Sequence, residues 1–318
     1  MIIVTGAFGF IGSHLVERLL DMGEEVVAAG VAFSEDNLPY ILRHRNASKL
    51  RVSYVDFTSF QQVKALLDTT RPETVYHLAA VASHRLSRKD PFLYLGNNYN
   101  SLLAVLEAAR LLEPSPKVVY TSSSSVYGDN APPLSEEMNP RPKGPYALSK
   151  YLGEQLCRLY YEEYRVECPI IRYFNVVGER CRENIVFRVF AERILRGEPI
   201  EVYGRFENGV FRPAERDFTY VSDAVEGTIL VGVRGAGCEV FNIGAGKPVS
   251  VLRIAELMME RLGRRIDVRF KELQPHESLV SYSSNAKARE KLGWAPKTNV
   301  EEMVDRFARW VTGAVTVR

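Results

Sequence analysis

The sequence predicts an α/β fold built on a doubly wound parallel sheet, and three observations carry that expectation. From residue 1 to about 172, short apolar runs alternate with longer amphipathic stretches, the β-α order of a parallel sheet with helices on both faces. The short runs (IIVTG, EEVVAAG, KVVYTS) are apolar on both sides, as strands covered on both faces must be. After about 173 the segments shorten and Gly, Pro and Arg crowd the connections, which marks a change of architecture.

The elements follow in order. Residues 1–5 read as a strand, and the helix at 10–22 lines up Ile11, Leu15, Val16, Leu19 and Leu20. Strands at 25–29 and 51–55, a helix at 59–68, a strand at 74–78 and a helix at 92–112 continue the alternation. A strand at 117–121, a helix at 146–164 and a strand at 168–172 complete it. Beyond lie a helix at 184–196, a strand at 200–203, helices at 222–233 and 250–262, and final turns at 285–292 and 300–312. The Pro-rich stretch 131–145 reads as a loop over a site.

Composition narrows the function. With 41 basic and 39 acidic side chains, the net charge of +2 gives no electrostatic reason to expect nucleic acid or an anionic membrane as partner. No run of about 18 apolar residues could span a bilayer, and the start MIIVTG enters a strand directly, so a cytoplasmic protein is expected. Cys157, Cys168, Cys181 and Cys238 have no zinc-type spacing and are expected as buried free thiols, with no metal site.

The first strand runs into TGAFGFIG, which sets Gly6, Gly9 and Gly12 between a strand and a helix. Glycines there let backbone N–H groups approach a pyrophosphate, and the helix N-terminus adds its dipole. The spacing is G-x-x-G-x-x-G rather than G-x-G-x-x-G, and it predicts a bound dinucleotide. Asp56, at the end of the third strand, is placed to accept a bond from an adenine amino group. His77, in YHLAA, is read as a packing residue rather than a catalyst.

Downstream, TSSSSVYG puts four serines at the end of an apolar strand, and PYALSK puts Tyr146 and Lys150 four apart on one helix face. A phenol with a reference pKa of about 10 must drop about three units, roughly 4 kcal/mol, to act as a base near pH 7. An ammonium about 5 Å away supplies about 3 kcal/mol at an effective dielectric of 20. A cationic nicotinamide could supply the rest, which makes Tyr146 the expected general base, Lys150 its activator, and a serine across the cofactor a proton relay.

TGAFGFIG, HLAA, SSSSVYG, YALSK, RYFNVVG, RDFTYV and FNIGAG, in this order over residues 1–294, resemble the extended short-chain dehydrogenase/reductase family. More narrowly they resemble its NAD-dependent nucleotide-sugar epimerases and dehydratases, closest to UDP-glucose 4-epimerase-like proteins. The resemblance implies a Rossmann-type cofactor domain, residues 1–172 plus about 217–243. A smaller C-terminal α/β substrate domain, 173–216 and 244–318, would complete the chain. Aligned on VYG, Ser123 matches the family's catalytic Ser/Thr, beside Tyr146 and Lys150. The implied cofactor contacts are Gly6, Phe8, Gly9, Phe10, Ile11 and Gly12 from the first turn, then Asp36, Asp56 and Phe57. Leu78, Ala79, Ala80, Asn98, Ser122, Tyr146, Lys150 and Tyr173 complete them. The implied substrate contacts are Ser123, Ser124, Asn175, Asn184, Arg216, Gln274, Glu277 and Ser281. A homodimer through helices 92–112 and 146–164 is also implied, on the stripes Leu102, Leu103 and Leu106 and Leu152, Leu156, Leu159 and Tyr160.

Two positions select among reactions. Dehydratases of this family carry Asp-Glu after the catalytic Ser/Thr, whereas this chain has Ser124 and Ser125, which cannot act as carboxyl acids. That favours 4-epimerisation of a UDP-hexose or UDP-N-acetylhexosamine through a transient 4-keto sugar. The alternatives are a reductase or dehydratase on the same scaffold, then a non-catalytic cofactor-binding protein. Three departures stand out. Gly30 occupies the position of the usual ribose-binding acid, with Asp36 in the insert VAFSEDNL as its replacement; no Arg follows Gly30, so NAD is favoured over NADP. Gln274, in QPHE, replaces an expected arginine, with His276 as partial compensation, and the segment 205–215 reads as a lengthened loop. Ser281 falls where some relatives carry a bulky gate, leaving room for an N-acetyl group.

Overall fold

A computed structural model describes residues 1–31, 36–83, 85–274 and 277–316. The insert residues 32–35 and His276 lie outside these. In chain order the elements of the first part are β1 (Ile2–Thr5), α1 (Phe10–Asp21), β2 (Val26–Gly30), α2 (Leu38–Leu42), β3 (Leu50–Tyr54) and α3 (Phe60–Thr70). They continue with β4 (Thr74–His77), α4 (Pro91–Arg110), β5 (Lys117–Ser123), α5 (Pro145–Tyr164), β6 (Ile170–Tyr173) and β7 (Val176–Val177). Then come α6 (Val186–Arg196), β8 (Ile200–Glu207), β9 (Val210–Pro213), β10 (Glu215–Arg216), β11 (Thr219–Tyr220) and α7 (Val221–Arg234). The last are β12 (Val240–Ile243), β13 (Val249–Ser250), α8 (Val251–Arg261), β14 (Val268–Glu272), β15 (Val280–Ser281) and α9 (Val300–Thr316).

Seven parallel strands form the main sheet in the order β12-β6-β5-β4-β1-β2-β3. The order reverses between β1 and β4, and that switch opens a crevice at the strands' carboxyl ends. β2 is buried along its whole length, because helices cover both faces. One core lies between α1, α7 and the sheet and extends under α6, α8 and α9 (Leu15, Val16, Phe187, Phe218, Phe241, Phe307). The other lies under α3, α4 and α5 (Val27, Val63, Leu102, Leu106, Tyr120, Leu156). Three small sheets, β13-β10-β15, β11-β7 and β14-β8-β9, build the cap over the crevice from segments after 173.

The expected elements differ from the observed ones in identifiable ways. α2, with Pro39 in its first turn, is too short for a periodic signal. The segment read as a lengthened loop at 205–215 is mostly hairpin: β8 and β9 pair antiparallel around Asn208 and Gly209, both at positive φ (52° and 81°). Asn-Gly is the residue pair such a turn demands, so this element was legible in principle. The turn expected at 285–292 contains a single π-type turn at Ala288–Leu292, whereas the one expected at 300–312 is the full helix α9. β5 runs two residues further than expected, to Ser123, so the serine run begins inside the strand.

Candidate active site

A continuous cleft of about 2610 Å³ crosses the carboxyl ends of the central strands and continues beneath the cap. Every residue expected at the site lines it, with the exception of Asn98. The first turn is built to its glycines. Gly6 sits at φ +64°, and a Cβ there would come within 2.9 Å of the Ala79 amide nitrogen. A Cβ on Gly12 would meet the Gly6 carbonyl oxygen at 2.2 Å, so no side chain fits. Gly9 caps α1 without a side-chain bond and no acid stands in its first turn, which leaves open amides and an unopposed dipole. The Thr5 hydroxyl accepts from the Leu78 and Ala79 amides (3.1 and 3.0 Å) and donates to His77 Nδ1 (3.0 Å), fastening the ends of β1 and β4 together. Burial drives the His77 pKa down to about 3, with the Lys150 charge adding to it, so the ring is a neutral acceptor in the floor.

Gly30 has a packing explanation. A Cβ at Gly30 would stand 2.4 Å from Phe8 Cδ2, because the nearly buried Phe8 ring lies across the end of β2 and against Tyr54. The ring fills the space an acidic side chain would use. Asp36 is exposed at the cleft, next to the buried Asn37 and to Tyr40. Asp56 spends Oδ1 on the Thr58 amide and hydroxyl (2.9 and 2.7 Å), a local turn at the cleft edge. These features fit a dinucleotide: open helix amides, a loop that admits no Cβ, and carboxylates only at the periphery.

Ser123, Tyr146 and Lys150 converge at the end of β5. Ser123 Oγ accepts from the Ser125 hydroxyl (3.0 Å) and amide (3.2 Å), which leaves its own proton for the Tyr146 oxygen it faces. Lys150 is buried; Nζ donates to the Thr121 carbonyl at 2.8 Å and sits 5.2 Å from the centre of the Tyr120 ring. Desolvation lowers its pKa from 10.5 to about 8. Burial raises the Tyr146 pKa above its ordinary value, opposed by the Ser123 bond and then by the Arg182 charge. The Lys150 ammonium places one of its three N–H donors on the Thr121 carbonyl.

Two further expectations change. Asn98 turns inward: its amide bonds Val81 N and O (2.8 and 3.1 Å) and Ser149 Oγ (2.9 Å), holding the 81 loop to α5. Its neighbour Asn97 lines the cleft instead. The Ser122 hydroxyl also points away, donating to Glu154 at 2.6 Å. Behind the site, Glu154 and Arg172 form a fully buried ion pair (2.9 and 2.6 Å) tying α5 to β6. Arg172 lies 4.7 Å from the Tyr127 ring centre, and the Tyr127 hydroxyl donates to Asn242 at 2.7 Å.

On the cap side, Arg216 Nη1 bonds the Glu215 and Leu279 carbonyls (2.9 and 3.1 Å), and burial lowers its pKa. Asp217 accepts from Ser283, Ala245 and Gly246, which sets the strand that carries Arg216. Asn175 donates weakly to the Asp217 carbonyl (3.3 Å), and Asn184 is exposed in the cleft. The Gln274 amide is held by Glu277 at 3.0 Å, and Tyr173 donates to Thr228 at 2.5 Å. Ser281 lines the cleft. Sequence reasoning missed Arg182, which bonds the Ala82 carbonyl and whose charge reaches Tyr146, and Tyr94, edge-on to Tyr146 at 6.5 Å. No local pattern distinguishes either from a surface residue. Among the described residues, no cluster of His, Cys, Asp or Glu could hold a metal, and no helix is long and apolar enough to cross a membrane.

A switch-point crevice, a glycine-only turn and a Ser-Tyr-Lys set at the end of β5 define a dinucleotide-dependent enzyme of the extended short-chain dehydrogenase/reductase class. The chain belongs to the family described as GDP-mannose 4,6 dehydratase, which matches residues 3–307. A UDP-glucuronate 4-epimerase of Thermodesulfobacterium geofontis is 31% identical, with 97% of this chain and 95% of the relative covered. A Thermotoga maritima UDP-glucose 4-epimerase, solved with UDP-glucose, superposes with a TM-score of 0.89 at 30% identity over 99% of both chains. A Bacillus cereus UDP-glucuronic acid 4-epimerase, solved with UDP-glucuronic acid and NAD, superposes with a TM-score of 0.88 at 28% identity, covering 98% of this chain and 99% of that one.

Proposed function

We propose that this protein is an NAD-dependent UDP-sugar 4-epimerase. The observation that carries the reading is Ser123 facing Tyr146 beside Ser124 and Ser125, where a dehydratase needs carboxyl groups. NAD would be held at Gly6, Gly9, Gly12 and the open end of α1, and would supply a reversible hydride acceptor for sugar C4. Tyr146 removes the C4 hydroxyl proton, and Ser123 donates to the phenol oxygen as charge develops there. Lys150 holds the end of β5 through the Thr121 carbonyl and keeps a positive charge under the site. The same groups in reverse return the proton once the 4-keto sugar has turned.

Residues 1–172 with 217–243 hold the cofactor in this reading, and 173–216 with 244–318 hold the nucleotide-sugar. In the same reading Arg216 would meet the nucleotide diphosphate, and Asn175, Asn184, Gln274, Glu277 and Ser281, which line the same cleft, would contact the rest of the nucleotide-sugar. A homodimer and a cytoplasmic location complete the proposal. Phe92, Leu148 and Leu159 are exposed on α4 and α5 and support the dimer, although Leu102, Leu106, Leu156 and Tyr160 of the expected stripes are already buried within the protomer.

One observation favours an acidic sugar over a neutral hexose or N-acetylhexosamine. Arg182 places a guanidinium in the cleft near Tyr146, where a hexuronate carboxylate would meet it beside the serine hydroxyls. The test is a proton NMR time course with UDP-glucuronate, UDP-glucose and UDP-N-acetylglucosamine and no added reductant. C4 epimers without cofactor consumption are expected, fastest for the uronate. Stoichiometric NADPH consumption, or a 4-keto-6-deoxy product, would replace the reading.

A further inference from the structure

Three of the four cysteines meet beneath α5, and none of them lines the cleft. Cys157 lies on the buried face of α5, and Cys168 just before β6. Their sulfurs are 2.9 Å apart, inside ordinary non-bonded contact for two sulfur atoms. The third, Cys238, precedes β12. β6 and β12 are parallel with Ile170 paired to Val240, and the Cys168 amide bonds the Gly237 carbonyl (2.7 Å). Just upstream of that pairing, Cys168 and Cys238 lie near enough for the Cys168 charge to act on the Cys238 thiol. All three pack in the core beneath α5. Cys157 and Cys168 are fully buried, whereas Cys238 is half-buried and forms part of the wall of a surface cavity of about 620 Å³ with Arg158, Tyr161, Glu162 and Lys291.

We propose that these cysteines are a thiol-disulfide exchange site. A small disulfide of the glutathione type enters at Cys238, and Cys157 and Cys168 end joined by a disulfide. The Cys238 thiolate attacks one sulfur of the small disulfide, giving a mixed disulfide and releasing one small thiol. Cys168 attacks the Cys238 sulfur and releases the second small thiol, and Cys157 then attacks Cys168 and frees Cys238. Two protein thiols are oxidised, one small disulfide is reduced to two thiols, and Cys238 returns unchanged. Arg158 and Lys291 line the cavity together with Glu162 and Glu239, and Lys291 is paired with Glu239, so the wall is polar and charge-balanced. The new bond clamps the C-terminal part of α5 to β6 across the turn at Arg165, which already holds a positive φ of 58°. Burial raises the Cys238 pKa to about 12, so exchange is slow and its rate climbs about tenfold per pH unit in this range. The inference does not depend on the sugar reaction.

The test incubates the full-length protein with oxidised and reduced glutathione at a fixed ratio, then alkylates it in denaturant for peptide mass spectrometry. A Cys157–Cys168 cross-link is expected, with Cys238 and Cys181 alkylated and Tm raised by several degrees until dithiothreitol reverses it. Cys238→Ser is expected to slow cross-linking at least tenfold and to reach the same end state. In Cys168→Ser, glutathione is expected to remain on Cys238. Full alkylation of Cys157 and Cys168 after prolonged oxidation, or a final Cys168–Cys238 link, would overturn the proposal. Cross-linking of Cys238→Ser at the wild-type rate would overturn the role of Cys238.

Discussion

The Glu154–Arg172 pair allows a quantitative test of how the site is supported. Both side chains are essentially inaccessible, two hydrogen bonds of 2.9 and 2.6 Å join them, and Ser122 adds a third to the same carboxylate. Replacing Glu154 by Leu leaves the Arg172 guanidinium buried with no anion and the Ser122 hydroxyl without its acceptor. Removing one partner of such a pair costs about 3–5 kcal/mol. In a protein of this size one kcal/mol moves Tm by about 2 °C, so Glu154→Leu should melt about 6–10 °C lower. Arg172→Met should lose a similar amount. The double variant removes both charges, and its cost reduces to the orphaned Ser122 hydroxyl and the lost Tyr127 contact, about 1–3 kcal/mol. Circular-dichroism melts of the four proteins at one pH form a complete double-mutant cycle. A double variant that falls by the sum of the two singles would refute the argument, since it would mean the charges are not coupled.

Other outcomes follow from the same geometry. Tyr146→Phe should lower kcat by about 10²–10⁴ while NAD remains bound by absorbance, and near-normal turnover would remove Tyr146 from the chemistry. Because Lys150 is pulled down to about 8, the unfolded chain binds the extra proton between about pH 8 and 10.5, so Lys150 costs stability at neutral pH and the penalty fades across that window. Lys150→Met should therefore gain stability relative to wild type at pH 7 by up to about 3 kcal/mol, less the lost Thr121 bond, with the gain shrinking towards pH 10. His77 stays neutral to about pH 3 in the folded state, so stability falls as pH drops below about 6.5, and His77→Asn should flatten that acid limb in urea titrations. Gly30→Asp, which restores the carboxylate expected at the end of β2, should destabilise by about 1–3 kcal/mol and weaken NAD binding in calorimetry, because Phe8 occupies the space.

Legibility followed the range of the physics. Gly6, Gly9 and Gly12, the Tyr146–Lys150 spacing and the serines closing β5 are short-range patterns. Backbone sterics and the 3.6-residue period act within a few residues, so their placement could be read from the chain. The β-α alternation that orders the main sheet is legible for the same reason, since each strand and helix reports its own burial. The Asn208–Gly209 hairpin lay within reach of the same rules and was passed over inside a long loop.

What the chain alone decided, then, is the alternation of elements, the glycine turn, the serines closing β5 and the Tyr146–Lys150 spacing, because each is written in residues that are neighbours or one helical turn apart. Only the tertiary structure decided how those residues are used. Asn98 and Ser122 have the right identity and position, yet their hydrogen bonds go to Val81, Ser149 and Glu154. Phe8 closes the place of an absent acid at Gly30, Arg182 arrives at Tyr146 from a segment 36 residues away, and burial raises the Tyr146 phenol. Desolvation and the choice among competing hydrogen-bond partners depend on distances between segments remote in sequence, and those distances exist only once the sheet has assembled.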